Sequence, residues 1–375
     1  MYNNSKLSQS FLLLTVGAIF CTGLVVIFST TSAEVIDLEL PVNAHHALVR
    51  QVIYAGAGLF LAFCVSRIGY DTILRISPLL LTLFSVFLLL TLIPGIGREV
   101  NGSRRWLGFA GLYFQPSEFV KIIVPAFFIY RFLGVQGEKI SLSFFLRVVG
   151  IAFIPILLIL IEPNNGTAAV IAFSLVVLCF LLRVRFKFWA FPLVALVLVG
   201  GTFASQLPYV TARIKVYLNP ELDIKGKGHQ PYQAKIAAGS GQLFGKGPGK
   251  SWQKLSYLPE AQNDYIAAIF AEEYGFLGVS VLISLYLILA CLGFSIASNA
   301  QDAGGFYLAA MVTYVITFQA FLNLGVVSGL LPSTGLNLPF FSQGGTSVMA
   351  NLIGIGILWS ISTSKYNCVE EKTYN

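Results

Sequence analysis

Asp264 stands where a polar stretch, Tyr257-Leu-Pro-Glu-Ala-Gln-Asn-Asp264, gives way to the apolar run Tyr265-Ile-Ala-Ala-Ile-Phe270. A carboxylate at such a boundary is either a solvated cap or a proton acceptor at the edge of a low-dielectric region. A free carboxyl titrates at about pH 4, and partial desolvation raises it toward the range where a general base works near neutrality. Glu272 follows eight positions later, on the same helical face as Asp264 if one helix runs through both, and is a candidate for lining the same cavity. Glu118 and Lys121 are three apart in Gln115-Pro-Ser-Glu-Phe-Val-Lys121, hence on one face. They read as a structural ion pair or as part of a substrate cavity, roles that do not exclude each other. Arg104 and Arg105, beside Trp106, offer two guanidinium forks suited to a diphosphate, although anchoring to lipid headgroups would use the same residues.

Other polar features carry less. The run Gly239-Ser-Gly-Gln-Leu-Phe-Gly-Lys-Gly-Pro-Gly249 has the look of a phosphate loop, but no Ser or Thr follows Lys246, and nucleotide binding is rejected. What remains for it is a flexible loop facing substrate. His45, His46 and His229 have no partners at metal-ligand spacing, and the five cysteines form no CxxC or disulfide framework. Gln319 with Asn323, and Ser347 with Asn351, have the spacing of interhelical hydrogen-bonding residues. Nothing calls for nucleic acid as a partner.

These residues sit in a chain of 375 residues that is 56% hydrophobic and 11% charged, with mean hydropathy +0.77. A soluble chain carries about 25% charged residues, so the class is a polytopic membrane protein. Segments of the roughly 20 apolar residues that cross a bilayer fall at 11–31, 48–66, 76–95, 116–133, 146–162, 167–185, 188–206, 265–297, 306–327 and 347–364. The expected fold is therefore all-α: one domain over 1–375, a bundle of about ten transmembrane helices, with one long extracytoplasmic loop at 207–263. With both termini in the cytoplasm, the inner segments hold Lys6, Arg67, Arg75, Arg131, Lys139, Arg147, Arg183, Arg185, Lys187, Lys365 and Lys372, against Arg50, Arg98, Arg104 and Arg105 in the short outer loops. The positive-inside rule selects that orientation. Under it Arg104, Arg105, Glu118, Lys121, the turn Glu162-Pro-Asn-Asn-Gly-Thr167, Asp264 and the link 331–345 all gather at the outer side. A one-sided cluster fits a surface reaction better than a midplane transport site.

The motifs Gly102-Ser-Arg-Arg-Trp-Leu-Gly108, Phe114-Gln-Pro-Ser-Glu-Phe-Val-Lys121, Glu162-Pro-Asn-Asn-Gly-Thr-Ala168, Tyr257-Leu-Pro-Glu-Ala-Gln-Asn-Asp-Tyr265 and Gly325-Val-Val-Ser-Gly-Leu-Leu-Pro-Ser-Thr-Gly335 resemble, in this order, those of the SEDS family of cell-wall polymerases, which includes FtsW, RodA and SpoVE. The resemblance covers nearly the whole chain. It implies a peptidoglycan glycosyltransferase that extends glycan strands from lipid II, the undecaprenyl-diphosphate-linked precursor. It also implies a class B penicillin-binding protein transpeptidase and other cell-division membrane proteins as partners, and a divalent cation, Mg or Mn, for which no ligand set is legible. Gln253-Lys254-Leu255-Ser256-Tyr257 looks more like the division type, with a RodA-like elongation polymerase or a flippase of lipid-linked precursors as alternatives. Three positions depart from the family pattern: Gln262-Asn263 where His-Thr is common, Asn164 where Asp is common, and Gln343 where Tyr is common. Gln262 removes an imidazole base and leaves the burden on Asp264, while Asn164 puts metal ligation at that turn in doubt.

Overall fold

The computed structural model describes residues 2–37, 45–100, 103–109, 112–135, 140–191, 193–194, 217–218, 226, 228–255, 258 and 261–364. Nine of the ten expected spans are helices: α1 (Tyr2–Asp37), α2 (His45–Ile68), α3 (Tyr70–Leu92), α4 (Pro116–Leu133), α5 (Leu142–Ile161), α6 (Asn165–Leu181) and, after the shorter α7 (His229–Ser240), α8 (Ile266–Ser298), α9 (Ala303–Val327) and α10 (Gly345–Thr363). The span expected at 188–206 lies mostly outside the described residues, as do Gly102, Tyr257, Cys368 and much of the loop 207–263. Among the described residues, seven helices are long and apolar enough to cross a membrane. α4 falls short because Glu118, Lys121 and Arg131 lie within its 18 residues, and α6 because it has only 17.

α4 is buried on every side from Pro116 to Ile129, the pattern of a helix at the centre of a bundle. α9 and α10 pack beside it, and the other spans surround them, turning Leu14, Phe60, Leu79 and Phe180 outward as a lipid-facing surface. Local chemistry sets the ends. Pro116 occupies the first turn of α4, where its missing N–H goes unmissed. The side chains of Ser141, Asn164 and Asp302 accept from Phe144 N, Thr167 N and Gly305 N at the starts of α5, α6 and α9. α10 lies close against α2 because Gly356 leaves room for the backbone of Ala62, which a Cβ would meet.

Between α3 and α4 the sequence suggests only a loop, and the structure holds a small antiparallel sheet of β1 (Gly97–Val100), β2 (Ser103–Phe109) and β3 (Leu112–Phe114), in that order. Glu99 pairs with Arg104, Arg98 with Trp106, and Gly108 with Tyr113. The sheet caps the same end of the bundle that carries the starts of α4, α6, α8 and α10.

Candidate functional site

At that end lies a cavity of about 340 Å³ whose walls come from distant parts of the chain: Arg50 and Tyr54 on α2, Arg105 on β2, Glu118 on α4, Asn164 and Thr167 at the start of α6, Asn263 and Asp264 before α8, and Asn337 with Gln343 to Ser347 at the entry to α10.

Asp264 precedes α8, whose first residue is Ile266, so its placement depends on tertiary bonds. Asn323 on α9 donates its Nδ2 to Asp264 O at 2.8 Å and to Leu336 O at 2.7 Å, tying the carboxylate's backbone to the segment that enters α10. Gln343 N donates to Gln262 O at 2.9 Å, a second tie two residues upstream. Asn323 thus acts less as helix-to-helix glue than as a clasp on irregular backbone, while Gln319 does both: its Nε2 reaches Asn337 O at 2.8 Å and its Oε1 accepts from Lys121 on α4 at 2.6 Å.

Arg104 and Arg105 part company. Neighbours on a strand point to opposite faces, so Arg105 lines the cavity while Arg104 pairs with exposed Glu99 at 3.0 Å on the other face. The expected pair of forks is one fork. Arg105 is fixed by donating Nε to Glu162 O at 2.9 Å and a terminal nitrogen to Pro163 O at 2.7 Å. Burial lowers its pKa, opposed by the charges of Glu162 and Asp264, and a guanidinium keeps its proton regardless. Glu162 itself is buried, and its carboxyl is pushed up to about 7 by desolvation, against the Thr91 hydroxyl bond and Arg105.

Glu118 faces the cavity, and its Oε2 accepts from Lys121 Nζ at 2.8 Å. Lys121 lies behind it, 1% exposed, with a second bond to Gln319 Oε1 at 2.6 Å, and is not among the lining residues. Glu272 is not among them either. The helical periodicity that put it beside Asp264 does not hold upstream of Ile266, and its carboxylate is turned to residues 240–253. The glycine-rich run 239–249, expected as a flexible substrate-facing loop, is bonded to that part of α8.

A cation missed from sequence supplies what Arg104 does not. Arg50, counted above only for topology, lines the cavity and stands over one ring, Tyr113, which Arg98 also approaches, at 5.6 and 4.3 Å respectively. Its signal was a charge at the mouth of a span on the side of the other polar motifs. Tyr54 hydroxyl bonds Tyr113 O at 2.7 Å, and Gln51 bridges Ser342 O and Gly344 N at 3.1 and 3.2 Å, so α2, the sheet and the entry to α10 form one wall. The cavity therefore presents two guanidiniums, Arg50 and Arg105, together with carboxylates at Asp264 and Glu118, among amide side chains. That set can take a proton from a hydroxyl and hold a polyanion.

A family model described as "Cell cycle protein", that of FtsW, RodA and SpoVE, matches residues 9–367. Stage V sporulation protein E of Bacillus subtilis is 37% identical over 95% of this chain and 98% of its own length. The protein named "Probable peptidoglycan glycosyltransferase FtsW" of Trichlorobacter lovleyi is 37% identical over 94% of this chain and 92% of its own. Among solved structures, the rod shape determining protein RodA of Thermus thermophilus aligns with TM-score 0.68 and 26% identity, covering 95% of this chain and 97% of that one. A chain from a structure described as the coordination of polymerization and crosslinking by a peptidoglycan synthase complex aligns with TM-score 0.74 and 26% identity, covering 95% and 98%.

Proposed function

The chain belongs to the FtsW/RodA/SpoVE family of cell cycle proteins, and on that premise we propose that it polymerises lipid II into glycan strands, with Asp264 as the general base. It is a membrane-embedded peptidoglycan glycosyltransferase, as its FtsW-named relatives are described. The observation that carries the mechanism is the single cavity shared by the Asp264 carboxylate and the Arg105 and Arg50 guanidiniums.

In the transfer, the hydroxyl of an acceptor sugar gives its proton to Asp264 as its oxygen bonds to the anomeric carbon of the donor. The bond from that carbon to the diphosphate breaks, and the lipid diphosphate departs with the electron pair. Arg105 and Arg50 meet the charge that grows on the departing oxygens, the kind of fixed electrostatic stabilisation that dominates many such reactions. Glu118 and Lys121 hold the wall beside them. Among the described residues no three His, Cys, Asp or Glu converge, so the Mg or Mn expected by resemblance would have at most the cavity carboxylates Asp264 and Glu118 as protein ligands, the latter also paired with Lys121, with the substrate diphosphate supplying the rest. A cation would arrive bound to the diphosphate, as Mg commonly does.

The reading extends to place and partners. The site end faces outward with both termini in the cytoplasm, the role is septal synthesis of the FtsW type, and a class B transpeptidase crosslinks the product. The likeness to a chain of a peptidoglycan synthase complex supports the last point, and Lys/Arg asymmetry supports the first. The test is to incubate the purified protein with labelled lipid II, with and without its candidate transpeptidase, and look for polymer. Absence of polymer under both conditions overturns the reading.

A further inference from the structure

Glu272 is fully buried, yet five donors converge on its carboxylate: Lys246 Nζ at 2.6 Å, Ser251 Oγ at 2.5 Å, and Ser240 Oγ, Trp252 N and Gln253 N at 3.3 Å each. All five precede Asp264 in the chain. Its neighbour Glu273 accepts from Lys254 Nζ at 2.9 Å, and that ammonium also reaches Ser29 on α1 at 2.9 Å and Gly249 O at 2.7 Å. Two buried carboxylates are tolerable because each meets a lysine and a set of hydrogen bonds.

The backbones are joined as well. Lys246 N and Gly247 N donate to Glu272 O and Glu273 O at 2.9 and 3.0 Å, while Phe276 N and Leu277 N donate to Gln242 O and Leu243 O at 2.8 and 3.2 Å. These bonds supply what α8 loses at Gly275, whose φ of 66° and ψ of −166° interrupt the helix. A Cβ on Gly275 would meet Leu243 O, and one on Gly245 the Glu273 backbone, so glycine alone fits either place.

The bond from Gln253 N to Glu272 closes a loop across 19 sequence positions, and Asp264 lies on it. The loop is tied to the cavity wall by Asn323 and Gln343 and to the bundle by the Glu272 clamp. We infer that Glu272 is a positioning residue: by closing this loop it sets where the Asp264 carboxylate stands, without touching substrate. The inference rests on the reading of Asp264 as the base. Misplacing a reacting group by about 1 Å costs roughly 10²-fold in rate, and the guanidiniums that hold the diphosphate do not depend on the clamp. The loss should therefore fall on kcat with KM unchanged.

The experiment compares full-length Glu272→Ala, Glu272→Gln and Lys246→Met with the parent, reading kcat and KM with lipid II and hydrogen–deuterium exchange at 253–264. Glu272→Ala should lower kcat by roughly 10²-fold. Glu272→Gln should lose less, because its one amide oxygen still accepts from either the Trp252 or the Gln253 amide, which in the parent bond different carboxylate oxygens. Exchange at 253–264 should speed up in all three. Unchanged exchange in folded Glu272→Gln overturns the positioning role whatever the activity does, and so does a raised KM with constant kcat, which would make Glu272 a substrate contact. Where Glu272→Ala fails to fold, Lys246→Met, altered at a side chain 33% exposed, decides by the same exchange. Faster exchange in variants of a parent that forms no polymer would leave the clamp standing and remove the base assignment instead.

Discussion

Removing the Lys121 cation while keeping its bulk, as Lys121→Met does, strands two buried groups at once. The Glu118 carboxylate, 7% exposed, loses its ammonium at 2.8 Å, and Gln319 Oε1 loses a donor at 2.6 Å. An uncompensated buried charge costs about 3–5 kcal/mol and a stranded amide oxygen about 1–3 kcal/mol. Glu118 also borders the cavity, where water trims the first figure, so a loss of about 4 kcal/mol is expected. Glu118→Gln leaves Lys121 with Gln319 and a new amide oxygen and should lose less, about 2–3 kcal/mol. The double replacement removes both charges and leaves only the Gln319 oxygen unserved, about 1–3 kcal/mol. It should therefore be no worse than Lys121→Met alone. The assay is thermal unfolding of the four purified proteins in one detergent, with folded yield as a second reading. A double loss equal to the sum of the singles would refute the coupling, because contacting residues should depart from additivity by about 0.5–3 kcal/mol, and the pair would leave the site.

Asp264→Asn should insert and fold like the parent while polymer formation falls by roughly 10² to 10⁴, and retention of more than about a tenth of the rate would place the proton acceptor elsewhere. In a cysteine-less chain, single cysteines at Ser143, Lys227 and Thr373 should react with an impermeant thiol reagent from outside only at 227; outside labelling at 373 would sink the orientation. Glu162 gives a pH signature: with its carboxyl at about 7 against an ordinary 4.5, the folded state binds the proton more tightly. The stabilisation is full below about pH 4.5 and lost as pH rises through about 7. The thermal midpoint of the parent should fall between about pH 4.5 and 7 relative to Glu162→Gln, and parallel pH profiles would show that burial does not hold this proton.

The spans were legible because a bilayer demands long apolar runs, and the clustering of polar motifs at one end followed from their alternation with those runs. What escaped was set by backbone form and by distance along the chain. Arg104 and Arg105 read as a pair until the strand separated them; Asn101-Gly102, a hairpin dipeptide between two apolar-rich stretches, was the available hint. Glu272 was assigned to the cavity by carrying a helical period past the start of α8, which no local residue marks with a side-chain cap. Asn323 has the spacing of a helix-to-helix contact, and only the fold shows that its partners are the carbonyls of Asp264 and Leu336. Arg50 was invisible as a site residue because its cavity partners lie far away in sequence.

That distance has a consequence for how the protein comes into being. The two bonds made by Gln51, to Ser342 O and from Gly344 N, join positions 291 and 293 apart. The Glu272 clamp, by contrast, joins residues no more than 32 apart. Chains emerge and fold from the N-terminus, and local contacts close before remote ones. The Glu272 clamp can thus close while the ribosome is still at work, whereas the wall between α2 and the entry to α10, and with it the Gln343 tie just before Asp264, exists only after α10 has docked. A nascent bundle can therefore occupy the membrane with the clamp closed while neither Asp264 nor the cavity wall is fixed, and the docking of α10 supplies both in the same event.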